Sequence, residues 1–526
     1  MFSKVTTAVL HGLRVKFVQA EADVSNGLPV FHMVGYLSSE VKEASERVRS
    51  AIRHTGYLLP AKRIVVNLSP ANLRKKGSSF DLPVAIAVLQ AMGIRIPIAE
   101  TGELLWIGEL GLDGEIRKVP GILPIVDEAK KQGISLCVVP KENEEEAGLV
   151  EGIQVIGLSH LQEVMEENLM GRSPAKKCML YQRPLYPDFS DIAGQEAVKR
   201  AIEVAVAGGH NILFLGPPGA GKTMLAKRIP GILPPLTREE SIELTKIYSV
   251  LGRVSSEQPL IEERPFREVH HTASKPALLG GGQTPLPGEI SMAHKGVLFL
   301  DELAEFDKAV LEVLRQPLES KEVRLIRTQG TYVYPADFIL VGAMNPCPCG
   351  YYGHPTRPCT CPCGCYPDLN RCMCTPAQIQ NYLGKISQPF LDRIDICIEV
   401  PKVTYESLRG ELYTPKERDS ARMRRRICAA REIQKQRFLE NAYDVNALLE
   451  PGDMNRYCNL GIAEEKLMGQ AFQAYGMTAR TYHKVLKVAR TIADLEGESR
   501  IRAVHLKEAI GYRTLDKKYW GRQGLR

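Results

Sequence analysis

Eight consecutive residues, Gly216-Pro217-Pro218-Gly219-Ala220-Gly221-Lys222-Thr223, fit the pattern G-x-x-x-x-G-K-[ST]. Glycines let backbone N–H groups wrap around phosphate oxygens, and the helix that follows adds the positive end of its dipole. In such a loop Lys222 reaches the β- and γ-phosphates of a nucleotide such as ATP, and Thr223 ligates Mg2+. A second run, Val297-Leu298-Phe299-Leu300-Asp301-Glu302, is an apolar strand ending in two carboxylates. Asp301 can hold the magnesium ion, and Glu302 can polarise an attacking water, which turns binding into hydrolysis. Alone, an apolar run followed by acids more often marks a plain strand-to-loop junction; downstream of a phosphate loop the catalytic reading wins. A third apolar run, Phe338 to Met344, ends at Asn345-Pro346, where the Asn can orient the hydrolytic water.

Thirteen cysteines make up a second chemical signal, because eight of them fall between Cys347 and Cys374. CPCG occupies 347–350, C-x-C 359–361, CPCG again 361–364 and C-x-C 372–374, a tandem repeat sharing Cys361. In a reducing compartment such clustering points to metal rather than disulfides. Four converging thiolates suit Zn2+, and the interleaved Pro and Gly supply tight turns. The simplest site is Cys347, Cys349, Cys372 and Cys374. Cys359, Cys361, Cys363 and Cys365 form a second site or an alternative set. Free or redox-sensitive thiols in a loop are the non-metal readings.

The elements that must carry these residues follow from composition and periodicity. The 526-residue chain, 44% hydrophobic and 25% charged, reads as three to four globular domains and excludes a disordered chain or a small disulfide scaffold. No window is apolar enough to span a membrane, and the start lacks a secretion signal, so a cytoplasmic protein without a membrane partner is expected. Residues 1–170 alternate strands (Arg63 to Leu68) with buried helix (Asp81 to Met92). Residues 171–187 read as a Pro-containing linker. Over 188–401 strands alternate with helices, implying an α/β core with a parallel sheet and an inserted cysteine-rich loop at 345–376. From 402 to 515 the pattern is helical, and 516–526 reads as a frayed basic tail. Residues 401–526 hold 25 Lys and Arg against 16 Asp and Glu, whereas the first 400 hold 43 against 45. The net charge of +7 thus belongs to the C-terminal quarter. Arg422, Arg425 and Arg426 share a helical face there, which suits a phosphate backbone or a lid paired with Glu417, Asp419 and Glu432.

The phosphate loop 216–223 (Walker A), the strand 297–302 with its two carboxylates (Walker B) and Asn345 together resemble the AAA+ ATPases. The resemblance gives Asn345 the sensor-1 role. It makes Val323–Arg327 with Tyr332–Tyr334 a presensor hairpin, Arg393 in Leu391-Asp392-Arg393-Ile394-Asp395 an arginine finger, and Arg480 the sensor-2 arginine of a helical lid. A finger acting on a neighbour's nucleotide implies a ring, and the family implies a homohexamer. Further segments narrow the resemblance: His270-His271-Thr272-Ala273-Ser274, Pro287-Gly288-Glu289-Ile290-Ser291, Val66-Asn67-Leu68-Ser69-Pro70, Phe80-Asp81-Leu82-Pro83 and Val488 to Leu495. They look like the magnesium-chelatase-like ATPases of the ComM/YifB family, a likeness that covers nearly the whole chain. It implies an α+β Lon-protease-like domain before the AAA+ core, and an ATP-driven motor on branched or single-stranded DNA that migrates branches in recombination or natural transformation. The alternative is a protein-remodelling or chelatase-type motor without DNA affinity. ComM-like chains usually carry one CPCG and one C-x-C, so the second copy here is a departure.

In the Lon-like domain Ser79 takes the place of a nucleophile. Leu123 stands where the lysine base belongs, so no peptidase activity is expected. Arg74, Lys75 and Lys76 read as a basic loop. DNA contacts are expected from the hairpin, through Arg324, Arg327 and Tyr332.

Overall fold

The computed structural model describes residues 1–101, 103–167, 169, 184–282, 285–328, 330–353, 371–403, 419–440 and 443–521. Period-two alternation over the first residues produces β1 (Phe2–His11) and β2 (Arg14–Ser25), an antiparallel pair in which His11 lies opposite Arg14. Gly12, at φ +69°, makes the two-residue turn between them possible. With β3 (Val30–Val34), β4 (Arg63–Ser69), β5 (Leu104–Trp106), β6 (Leu136–Pro140) and β7 (Gln154–Leu158) they form a mixed sheet ordered β3-β4-β2-β1-β5-β6-β7. Helix α1 (Ser39–His54) and the almost wholly buried α2 (Asp81–Ala91) cover one face, and α3 (Ile122–Lys131) packs on the other.

The second sheet is all parallel. Its strands are β8 (Ile212–Leu215), β9 (Phe266–Val269), β10 (Val297–Leu300), β13 (Ile339–Met344) and β14 (Ile396–Glu399), ordered β9-β10-β13-β8-β14. Between β10 and β13 stands the hairpin of β11 (Glu322–Arg327) and β12 (Gly330–Pro335). Continuous apolar strands are what burial on both faces demands. Ile212 and Phe214 enter the core beneath α4 (Glu196–Gly208), while Leu213 and Leu215 enter the core on the opposite face. Each fully buried side chain of this kind stabilises the fold by about 1.5–3 kcal/mol relative to exposure.

C-terminal helices α8 (Ser420–Arg437), α9 (Ile462–Ala474), α10 (Ala479–Leu495) and α11 (Ala503–Gly511) share the core under α4. A buried polar junction ties α10 to the strand entering β14: Lys484 Nζ lies 3.0 Å from Asp395 Oδ1 and donates to Ile394 O at 2.9 Å. His210 lies 3.6 Å from Asp395 on the other side. Burial opposes ionisation of Asp395, but Lys484 and His210 outweigh it and hold the carboxyl far below the usual range. The arginines of α8 are largely spent on packing. Arg426 pairs with buried Glu203 at 2.7 Å, Arg424 and Arg431 donate to the carbonyls of Leu233 and Val206, and Arg437 grips Asp494. Asp419 caps the helix instead of pairing with its arginines.

Two features correct the sequence reading. Residues from 516 do not begin a frayed tail: α12 (Thr514–Trp520) buries Tyr519, and Trp520 Nε1 donates to Leu383 O at 3.1 Å. The charged Lys517 and Lys518 hide an aromatic face that is one turn long. Lys75 is no part of an exposed basic loop; its side chain is fully buried and its ammonium donates to Pro70 O. Residues 171–183 of the expected linker lie outside the described residues, and Tyr186 beyond them bonds Glu263 at 2.5 Å. The mixed sheet meets the parallel one through α3 and α6 (Arg238–Val250), where Gly121 N donates to Ser249 O at 2.9 Å and Lys246 pairs with Asp127 at 2.7 Å. Among the described residues no helix is long and apolar enough to cross a membrane.

Candidate nucleotide site and cysteine cluster

The loop 216–221 leaves the C-terminal end of β8, between β13 and β14, where open parallel sheets form their ligand crevice. Gly221, at φ +86°, turns the chain into α5 (Lys222–Ala226). A Cβ on Gly216 would stand 2.3 Å from Val400 O, so only glycine lets the loop pass β14.

Four of the expected residues converge. Lys222 Nζ donates to Asn345 Oδ1 at 2.9 Å and to the carbonyls of Gly216 and Pro217 at 2.7 and 3.0 Å. Thr223 Oγ1 donates to Asp301 Oδ2 at 2.7 Å. Burial lowers Lys222 to about 8, against the opposing pull of Asp301 and Glu302. Glu302 follows β10 in the left-handed region at φ 50°, unusual for a non-glycine residue, with its side chain 60% exposed. Its backbone N–H is held by Asp301 Oδ1 at 2.9 Å. The hydroxyl of Thr223 and the carboxylate of Asp301 are hard oxygen donors of the kind magnesium takes, already side by side.

His271 Nδ1 lies 3.4 Å from Glu302 Oε2, a neighbour that the sequence reading missed. Its ring packs against His270 at 4.1 Å and edge-on to Phe306. The signal was present, since the His pair directly follows β9, the strand paired with β10. Arg393 and Arg480 stand outside this hydrogen-bonded group. Arg393 pairs with Glu319 at 2.5 Å and donates to the carbonyls of Arg315 and Pro389. Arg480 is exposed in the first turn of α10.

Two residues beyond Asn345 the cysteine cluster begins. The sulfurs of Cys347, Cys349, Cys372 and Cys374 all lie within 4.8 Å of one another. Cys347–Cys349, Cys347–Cys372 and Cys349–Cys372 measure 3.3, 3.8 and 3.6 Å. A tetrahedral ion with metal–sulfur bonds of about 2.3 Å sets sulfurs about 3.8 Å apart, so the four residues fit zinc. Burial opposes ionisation of Cys349, yet the N–H groups of Tyr351 and Met373 and the neighbouring thiols bring it down to about 6. Cys359, Cys361, Cys363 and Cys365 lie outside the described residues. The cluster abuts the phosphate loop, for a Cβ on Gly350 would stand 2.3 Å from Pro218 Cδ.

Tyr332 is not available to DNA as expected: it is 4% exposed and stacks on His11 at 4.0 Å. Arg324 and Arg327 are exposed, Arg324 beside Glu322. In the N-terminal domain Ser79 is half-buried, Leu123 is sealed in an apolar cluster, and Asp81 grips Arg47 at 2.6 and 2.9 Å.

A parallel sheet whose first strand feeds a phosphate loop, with Asp301 and Glu302 at the end of β10 and Asn345 at the end of β13, defines a P-loop ATPase of the AAA+ type. Sequence comparison narrows this. The family model described as magnesium chelatase, subunit ChlI, matches residues 188–363 and 360–408. The model for subunit ChlI of Mg-chelatase matches 20–143, and that for the subunit ChlI C-terminal region matches 417–513. The uncharacterized protein YifB of Escherichia coli (strain K12) is 42% identical over 517 residues, covering 98% of this chain and 97% of that one. The competence protein ComM of Haemophilus influenzae is 41% identical over 517 residues, covering 96% of each. The magnesium-chelatase 67 kDa subunit of Heliobacterium mobile is 30% identical over 191 residues, 31% of this chain. The chain belongs to the ComM/YifB family of magnesium-chelatase-like AAA+ proteins, a family whose membership implies ATP and Mg2+.

Proposed function

We propose that the protein is an ATP-hydrolysing motor that acts on DNA as a homohexameric ring, migrating branches or unwinding strands in recombination or natural transformation. The observation that carries this reading is the assembled Lys222–Asn345 and Thr223–Asp301 pairs beside Glu302, in a chain 41% identical along nearly its full length to a competence protein. The alternative is a protein-remodelling or chelatase-type motor without DNA affinity; the relatives similar along nearly the whole chain are YifB and ComM, whereas two magnesium-chelatase subunits align over 31% of it.

Lys222 binds the β- and γ-phosphates, Asn345 and Glu302 orient and polarise the attacking water, and His271 fixes the Glu302 side chain. Thr223 and Asp301 hold Mg2+, which supplies charge neutralisation to the phosphates. Arg393 acts on the neighbouring subunit's nucleotide, exchanging its hold on Glu319 for phosphate. Arg480 serves the nucleotide of its own subunit from the lid. Cys347, Cys349, Cys372 and Cys374 hold one zinc ion that stiffens the loop between Asn345 and β14. Arg324 and Arg327 meet the DNA backbone. The free thiols are compatible with a cytoplasmic setting.

The test is a branch-migration assay on labelled four-way junctions, comparing wild type with Glu302→Gln. Strand movement that needs ATP and is lost in the variant is expected. ATP turnover that no DNA structure stimulates, with no strand movement, rejects the reading.

A further inference from the structure

The hairpin does not stand alone. The β1–β2 turn of the N-terminal domain sits on it: His11 stacks on Tyr332, and Gly12 lies where a Cβ would be 3.5 Å from Tyr332 and Tyr334. At the hairpin's end Gly330 approaches His11 so closely that a Cβ would stand 3.0 Å from Nε2. Arg327 is the register partner of Gly330, so the hairpin's terminal cation lies beside this stack.

Cations from other positions gather around the same rings. Arg14 is the register partner of His11 and Lys16 that of Val9, both exposed on the His11 face of the pair. Lys16, Arg14 and Lys76 each lie close enough to add to the effect of burial in lowering His11. Arg74 acts on Tyr332 and stands 5.7 Å over the ring of Tyr36. An acid beside them is Glu40, which accepts from the Gly77 N–H and is close to Lys76. Arg324 is different: by alternation it projects from the hairpin face opposite Tyr332.

We propose that Arg14, Lys16, Arg74, Lys76 and Arg327 form one continuous phosphate-backbone surface, so that DNA is held jointly by the N-terminal domain and the hairpin. The proposal rests on the DNA reading above and adds the N-terminal domain as half of the binding surface. The five named groups are all cations suited to phosphate, so binding through them is independent of sequence and sensitive to salt.

The experiment measures binding of the full chain, with a non-hydrolysable ATP analogue, to labelled single strands and four-way junctions by fluorescence anisotropy between 50 and 200 mM salt. Removing one phosphate-neutralising cation lowers the log–log salt slope by about 0.7 on single strands and about 0.9 on duplex. Arg14→Glu with Lys16→Glu is expected to lower the slope by one to two such steps and to weaken binding at least tenfold at low salt. Arg14→Gln with Lys16→Gln, a milder change on exposed strand positions, gives an intermediate loss; thermal melting checks that both variants fold. Lys466→Glu with Arg500→Glu, the same charge change on exposed lid positions, leaves the slope unaltered. If the wild type binds DNA and the Arg14/Lys16 variants keep its affinity and slope, or lose no more than the lid control, the surface is overturned while the DNA reading stands. If the wild type binds no DNA under any of these conditions, both fall.

Discussion

Lys222 is the residue on which pH acts most directly. Its ammonium is charged below about 8 and neutral above, because burial depresses it from the ordinary lysine range. Affinity for an ATP analogue is therefore expected to be flat at lower pH and to fall as pH rises through about 8, a profile that titration calorimetry can trace. Lys222→Arg, which does not titrate, flattens it. Glu302→Gln keeps the shape of the site but removes the proposed base, so turnover is expected to drop by about 10²–10⁴-fold while nucleotide binding persists. His271→Ala acts through Glu302 and is expected to lower kcat by roughly tenfold or less with little change in KM, a split that separates positioning from binding. At this scale the sequence was informative only where neighbours in the chain are neighbours in space. Gly216 to Thr223 could be read as a unit, and Asp301 with Glu302 as another. The bond between Lys222 and Asn345 joins residues 123 positions apart, and His271 reaches Glu302 only because β9 pairs with β10.

Among elements, the most exposed to acid is the junction of α10 with the strand entering β14. Asp395 is ionised well below the ordinary carboxylate range, so its contribution is present above pH of about 4 and is lost as pH falls through its depressed value. Removing the charge at neutral pH by Asp395→Asn leaves Lys484 buried without its partner, which costs about 3–5 kcal/mol and should appear as an early loss of the lid in thermal or denaturant melts. None of this was legible beforehand, because Asp395, Lys484 and His210 are ordinary polar residues until three separate segments bring them together. The strands, by contrast, could be read from their apolar runs, and the basic face of α8 could be seen but not its use. Arg431 and Arg437 proved to be packing residues, since their hold on Val206 O and Asp494 is decided by tertiary structure, while Arg426 stays exposed with its guanidinium on buried Glu203. The cysteine segment sits between these cases: spacing suggested the four ligands, and only folding showed Cys347 and Cys372 within 3.8 Å. Cys372→Ser with Cys374→Ser is expected to lose about one equivalent of zinc by elemental analysis and, through Gly350 on Pro218, to raise the KM for ATP.

For the whole molecule, the proposed ring makes a prediction that no single chain can satisfy. Arg393→Ala and Lys222→Ala are each expected to abolish most turnover. Mixed before assembly, they should recover activity at roughly a quarter of the interfaces, where an intact phosphate loop meets an intact finger. Failure of any recovery in mixed oligomers would count against a finger supplied in trans. The buried junction of α10 then takes on a second meaning. Arg480 opens that helix, Lys484 lies one turn further on and holds Ile394 and Asp395, and Arg393 is the very next residue. Arg480, proposed to sense a subunit's own nucleotide, and Arg393, proposed to act on its neighbour's, are thus separated by one helical turn and a buried ion pair. In the proposed ring such a short, stiff linkage would work as an escapement: each subunit's lid would set when the next subunit is permitted to fire, so that hydrolysis would proceed around the ring in order and not at random.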